Sequence, residues 1–171
     1  MDVEIKRDGY KYNLHFEKGE NVGGLSKEPC KRKQTGTRTR WRPDLEVFTD
    51  IDVSDDYFCD ILKRQAVVNP NILFVLRTEN ESGKFDEQEF IYENGITDYV
   101  GEIAGENAMT TIQHWTAEKR GRDREDKPEY KVKISAAFCF SNTVQQIEYY
   151  HNSSWLEHGG APEKATKTAF V

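Results

Sequence analysis

The sequence predicts an α+β fold, and three observations carry the prediction. Strand-like alternation occupies both ends of the chain, at residues 3–16 and 130–138. A stripe at helical spacing, Tyr57, Phe58, Ile61, Leu62 and Ala66, stands between them. Turn chemistry separates the segments at Asp8-Gly9, Asn69-Pro70-Asn71 and Ser82-Gly83. The 171 residues suffice for one medium domain or parts of two.

Val3-Glu4-Ile5-Lys6-Arg7 alternates as a strand, and Asp8-Gly9 is a two-residue hairpin signal. On the returning strand Tyr10, Tyr12, Leu14 and Phe16 share one face, and Glu17-Lys18-Gly19 closes it. An isolated hairpin is marginal in water, so the natural protein is expected to continue upstream, with Met1 at a cut. Residues 19–35, rich in Gly, Lys, Ser and Pro, read as a loop.

Ser54 is suited to cap a helix, with Asp55 and Asp56 in its first turn and Asn69-Pro70-Asn71 as its stop. Ile72-Leu73-Phe74-Val75-Leu76 reads as a buried strand, residues 79–84 as a turn, and Glu89-Phe90-Ile91-Tyr92 as the returning strand. Ile96, Tyr99, Val100 and Ile103 form the buried stripe of a second helix. Residues 110–117 read as a strand and the charged stretch to Pro128 as an exposed loop. Tyr130, Val132, Ile134, Ala136 and Phe138 line one side of the next strand; Ser141-Asn142 turns, and residues 144–150 pair back. Pro162 suits the first turn of a final helix over 163–171.

The most informative run is residues 33–48. A Thr-Gly-Thr opening leads into alternation, with Thr37 and Thr39 on one face and Arg38 and Arg40 on the other. Pro43-Asp44 then ends the ladder, because proline has no donor to give. Spacing alone describes an edge strand with a solvated arginine face. Two threonine hydroxyls on one face of a strand end also make a place where a ligand can be met.

The ordered run Gly36-Thr37, Trp41, Pro43-Asp44, Glu46-Val47-Phe48 resembles the third glycine-threonine block of the ATPase domain in bacterial type IIA topoisomerase B subunits, those of DNA gyrase and topoisomerase IV. Ile5-Lys6-Arg7-Asp8-Gly9 and Phe16-Glu17-Lys18-Gly19 are similar to the hairpin that precedes that block. Glu93-Asn94-Gly95-Ile96 resembles a Glu-Gly-Gly-Ile segment that starts a helix into the next domain, with Asn94, tolerant of positive φ, in place of one glycine. The strands beyond Met109 resemble the opening of the transducer domain, and residues 152–160 its Asn…Gly-Gly-Thr-His loop. Ala161-Pro162 replaces the Thr-His pair, so no role of that histidine carries over.

The resemblance implies the C-terminal part of a GHKL-type ATPase sheet over 1–92, a connecting helix over 93–107, and the first part of a ribosomal-S5-like transducer over 108–171. It implies that Thr37 joins an adenine network with an aspartate and a water, that Gly36 allows close backbone approach, that Thr39 lines the pocket wall, and that Arg7 stands at its mouth. The family's position matching Thr39 is often apolar. Without the resemblance Arg7 is an ordinary charged residue beside a turn. For the full-length parent the resemblance implies ATP and Mg2+ as cofactors. It likewise implies DNA and the topoisomerase A subunit as partners, B-subunit homodimerisation on ATP binding, and a cytoplasmic location.

The family's general base, magnesium-binding asparagine, adenine aspartate, glycine-rich lid and Gln-Thr-Lys loop have no counterpart in this sequence. Neither Thr166-Lys167 nor Gln34-Thr35 is that loop, and Asn21-Val22-Gly23-Gly24 is too short for a phosphate cradle. The isolated chain is therefore expected not to hydrolyse ATP and to hold no cofactor.

Net charge is −6, yet residues 27–42 hold seven basic residues against one acidic, Glu28. This supports a rival reading: a free-standing α+β module binding nucleic acid or phosphate through that basic segment. A third reading is a coupling or dimerisation piece with no site of its own. Cys30, Cys59 and Cys139, together with four histidines, show no metal-ligand spacing, which fits incidental thiols in a reduced compartment. No apolar run approaches the roughly 20 residues of a membrane span.

Overall fold

The computed structural model describes residues 1–122 and 124–170. Asp123, in the charged stretch, and Val171, at the expected end of the last helix, lie outside the described residues. The chain forms two compact units, Met1–Val53 and Ser54–Val171.

Met1–Val53 is a four-stranded antiparallel sheet of β1 (Asp2–Arg7), β2 (Tyr10–Glu17), β3 (Glu20–Pro29) and β4 (Gly36–Arg40), in the order β3-β2-β1-β4. Two two-residue turns build it. Asp8 and Gly9 have φ of 55° and 80°, and Lys18 and Gly19 of 48° and 88°, the left-handed pairs that match strand twist. The sheet corrects one expectation, because β3 lies in residues 19–35, which read as a loop. All ten of its residues are exposed, so no apolar period marks it; the free edge of β2 supplies its partners. Gly23 and Gly24, at φ of 84° and 72°, let residues 23–25 bulge opposite Leu14, and Gly24 N–H donates to Asn21 Oδ1 at 3.0 Å. Beyond β4, Asp44 sets a turn, accepting from Val47 and Phe48 N–H on its carbonyl and from Glu46 N–H on Oδ1.

In Ser54–Val171, helix α1 (Asp55–Val68) carries the expected stripe and ends at Asn69, and Ala66 and Val67 are buried. Ser54 takes the N-cap position without a side-chain capping bond. Strands β5 (Phe74–Glu79) and β6 (Phe85–Phe90) form a hairpin packed on α1. The expected buried strand is only half-buried. Ile72 and Leu73 precede it and are exposed, and β5 alternates because a two-stranded ribbon meets α1 on one face. The returning strand begins at Phe85 rather than Glu89. Helix α2 (Ile96–Ala104) follows Gly95, and its Ala104 is buried. Asn94 does not adopt positive φ; its backbone and side-chain N–H groups donate to Asp98 at 2.8 and 3.0 Å.

Strands β7 (Gln113–Gly121) and β8 (Tyr130–Phe138) pair over their full lengths, so β7 extends into the stretch read as loop. Cross-strand ion pairing helps hold that extension, with Lys131 and Glu118 2.5 Å apart. Residues 144–149 are not a strand. Only β9 (Tyr150–His151) and β10 (Ser154–Trp155) pair there, since alternation makes a strand only where a partner edge is in reach. Helix α3 (Gly160–Phe170) starts three residues before the expected Glu163, with Pro162 in its first turn. Among the described residues no helix is long and apolar enough to cross a membrane.

Candidate functional site

The sheet of Met1–Val53 places the four expected site residues on two neighbouring strands. Opposed residues of an antiparallel pair share a face. Val3 stands opposite Thr39 and Leu14, and Ile5 opposite Thr37 and Tyr12. Arg7, opposite Tyr10, follows Val3 and Ile5 at the strand period and so belongs to the same face. Thr37, Thr39 and Arg7 therefore share one face, with Thr37 between Thr39 and the Arg7 end. Arg38 and Arg40, opposite Glu4 and Asp2, take the other, as the alternation requires.

The local chemistry of these residues is open. The Thr37 and Thr39 hydroxyls have no hydrogen-bond partner among the described residues, and every residue of β4 is exposed. Gly36 has a φ of 152°, and a Cβ built on it would meet no atom within 4 Å, so the backbone can be approached there. Arg7 Nε lies 3.2 Å from Asp8 Oδ2, and its side chain is 78% exposed. Lys27 Nζ sits on the same face, 3.9 Å from the Tyr10 ring centroid and 5.7 Å from that of Tyr12. The arrangement supplies hydroxyl donor-acceptors and cations beside an aromatic pair.

The opposite face is a charged lattice. Lys6 pairs with Glu4 at 3.3 Å, Lys11 with Glu28 at 3.2 Å, and His15 contacts Asp2 at 2.7 Å and Glu17 at 3.2 Å. The Asp2 hydrogen bond, then that of Glu17, holds the His15 pKa above its ordinary 6.5, and the same bond holds Asp2 below its usual range. A raised histidine pKa contributes stability that is complete below about pH 6.5 and lost as pH rises through the folded-state value. Asp2→Asn is accordingly expected to move the His15 titration midpoint, read by NMR, down towards 6.5. An unmoved midpoint would remove Asp2 as the cause.

Ser54–Val171 contains a second polar cluster, which sequence reading missed. Successive residues of α1 reach two segments: Lys63 Nζ lies 2.6 Å from Glu102 of α2, while Arg64 stacks 3.8 Å over Trp155 and Gln65 donates to the Ser153 carbonyl at 2.8 Å, both in the β9–β10 hairpin. Tyr92 also donates to Glu102, at 2.5 Å. Tyr99 donates to Glu148 at 3.1 Å, Gln146 donates to it at 2.7 Å, and Tyr150 donates to its other oxygen. Burial, followed by the Glu148 charge, pushes the Tyr99 hydroxyl up to about 12. Burial and the neighbouring carboxylates likewise raise Tyr92 and Tyr150. Burial works against ionising Glu102, but the Lys63 and Tyr92 hydrogen bonds hold its pKa below the usual range. Tyr99 and Glu148 are 49 positions apart, and no sequence period links them.

Among the described residues no group of three or more His, Cys, Asp or Glu is placed to hold a metal ion. Cys30, Cys59 and Cys139 are free.

No protein-family model matches the chain. Individual proteins do. The chain is 33% identical to the DNA topoisomerase 4 B subunit of Salmonella typhimurium over 113 residues, which is 66% of this chain and 17% of that protein. It is 25% identical to the DNA topoisomerase 4 B subunit of Staphylococcus aureus over an alignment covering all of this chain and 25% of that protein. The chain thus spans a quarter or less of the length of these relatives. In fold it is similar to the 43K ATPase domain of Thermus thermophilus gyrase B, solved with an aminocoumarin, with a TM-score of 0.57 at 22% identity over 76% of this chain and 34% of that one. It is also similar to the topoisomerase IV ATP-binding domain of Francisella tularensis, solved with a small-molecule inhibitor, with a TM-score of 0.51 at 23% identity over 70% of this chain and 35% of that one. The expected resemblance to type IIA topoisomerase B subunits and the expected α+β fold are both borne out.

Proposed function

We propose that this relative of the bacterial type IIA topoisomerase B subunits is a segment of such a protein, contributing part of the adenine side of its ATP site. The observation that carries the reading is the shared face of Thr37, Thr39 and Arg7, with open backbone at Gly36 and unpartnered threonine hydroxyls. Thr37 would bridge a carboxylate and a water beside adenine, since its hydroxyl both donates and accepts. Thr39 would line the wall and Arg7 the mouth. These residues fit the base end of ATP. We assign Mg2+ binding to other parts of the parent.

Two further features support the segment reading. The relatives are about four times as long as this chain. No residue of Met1–Val53 is fully buried, as expected of a sheet that packs on more chain than is present. We place residues 1–92 in the ATPase domain, 93–107 in a connecting helix and 108–171 in the transducer. In the parent, ATP binding would drive B-subunit dimerisation and DNA passage with the A subunit, in the cytoplasm. The segment alone would not turn over ATP, because general-base catalysis needs a group within hydrogen-bond reach of the attacking water.

Isothermal titration of parent and segment with ATP tests this. Thr37→Val keeps the shape and removes the hydroxyl. Loss of a hydrogen bond worth roughly 0.5–1.5 kcal/mol, with a partner stranded, should weaken ATP binding by the parent roughly three- to thirty-fold. The segment should give no ATP signal in either form. Unchanged affinity in a well-folded Thr37→Val parent would leave Thr37 an ordinary strand residue.

A further inference from the structure

We infer that Asn94 is a site of spontaneous deamidation to aspartate and isoaspartate, guarded in the folded chain by Asp98. In this reaction a backbone nitrogen attacks the asparagine side chain of the residue before it. Asn94-Gly95 is the only Asn-Gly pair in the sequence. Every other asparagine is followed by a residue whose side chain crowds that nitrogen, whereas Gly95 has no Cβ. The turn Glu93-Asn94-Gly95 ahead of α2 presents both reacting groups. Asn94 is exposed, so water reaches its amide. Gly95 N–H is weakly held: it lies 3.4 Å from the Tyr92 carbonyl, which also accepts from Asn71 N–H at 3.2 Å.

Asp98 opposes the reaction. Its Oδ2 accepts from Asn94 N–H at 2.8 Å and its Oδ1 from Asn94 Nδ2 at 3.0 Å. The backbone bond, then the side-chain bond, holds the Asp98 carboxyl below the usual carboxylate range, so it remains an acceptor. Gly95 itself is buried, so the ring closes only when the turn opens locally and Asp98 lets go. The Gly95 nitrogen then gives its proton to water and bonds to Asn94 Cγ. The Cγ–Nδ2 bond breaks, and ammonia leaves with a proton from water. Water opens the cyclic imide at either carbonyl, and nothing is oxidised or reduced. Cleavage of the new N–Cγ bond gives aspartate; cleavage of the original backbone C–N bond gives isoaspartate, with the chain routed through Cβ and Cγ. Either product disturbs the start of α2. Aspartate sets a second carboxylate against Asp98 where Nδ2 had donated. Isoaspartate adds a methylene to the backbone beside Gly95, where even a Cβ would stand 3.0 Å from the Val67 carbonyl oxygen.

The test is a time course of the full chain in mildly alkaline buffer, read by mass-spectrometric peptide mapping. Methyl transfer from S-adenosylmethionine by an isoaspartyl methyltransferase reports the isoaspartate. Asn94 should convert before any other asparagine, mostly to isoaspartate, and more slowly than in a free peptide of residues 90–99. Asp98→Ala should speed conversion at Asn94 roughly two- to tenfold, the factor for one ordinary hydrogen bond, and leave the rates of the other asparagines unchanged. Asp98→Asn keeps a side-chain oxygen to accept from Nδ2 and should stay closer to the unsubstituted chain. Earlier conversion of another asparagine, or conversion of Asn94 as fast as in the free peptide, would overturn the proposal. So would an Asp98→Ala chain with an unchanged Asn94 rate, or one in which every asparagine speeds up alike, the mark of a merely loosened fold. ATP binding at Thr37 enters none of these readouts.

Discussion

Gly95→Ala is expected to lower the stability of the unit Ser54–Val171 by about 1–3 kcal/mol, the cost of a non-glycine residue in a conformation open almost only to glycine. Gly95 starts α2 with φ 57° and ψ −124°. Space is short as well as conformation: a Cβ there would lie 3.0 Å from the Val67 carbonyl oxygen. Val67 is 1% exposed and belongs to the small core with Ala66 and Ala104. A backbone carbonyl in that core cannot swing away as a side-chain tip would. Gly105→Ala provides the comparison, since Gly105 also has positive φ, 48°, but a Cβ there meets nothing within 4 Å. Urea unfolding followed by circular dichroism should give the lower midpoint for Gly95→Ala. Equal midpoints would show that the contact with Val67 is harmless.

Glu148→Ala is expected to cost about 1.5–3 kcal/mol, the range for hydrogen bonds to a charged group. It removes the acceptor shared by Tyr99, Tyr150 and Gln146 and leaves two half-buried phenols without it. The same cluster predicts an alkaline weakness. The Tyr99 pKa is raised from 10.0 to about 12, so the folded state holds that proton more tightly than the unfolded chain does. The stability it contributes is complete below about pH 10 and is lost between about pH 10 and 12. Urea midpoints should fall across that window, and Tyr99→Phe should flatten Tyr99's share of the fall. A Tyr99→Phe protein with an unchanged alkaline profile would exclude Tyr99 as its source.

Much of the local structure was legible in the residues. Asp8-Gly9 makes a hairpin because a two-residue turn needs two positive φ values, and these residues tolerate them. Helix α1 announces itself by a 3.6-residue stripe bounded by Ser54 and Asn69-Pro70. The face assignment of Thr37 and Thr39 against Arg38 and Arg40 follows from the two-residue period alone. In each case the deciding forces act within a few residues of chain.

What only the tertiary structure decided depends on partners distant in sequence. Strand β3 has no buried side chain, and it is a strand because β2 offers unpaired backbone groups. Residues 144–149 alternate well enough, yet no edge receives them, and Ile147 is left 75% exposed. Arg7 comes to the Thr37 face through the register of β1 between β2 and β4, which the order of residues does not display. The carboxylates of Glu102 and Glu148 become hydrogen-bond centres only when α1, α2 and residues 146–155 pack together. Residue order determines which backbone shapes are cheap; folding decides which distant groups then satisfy one another.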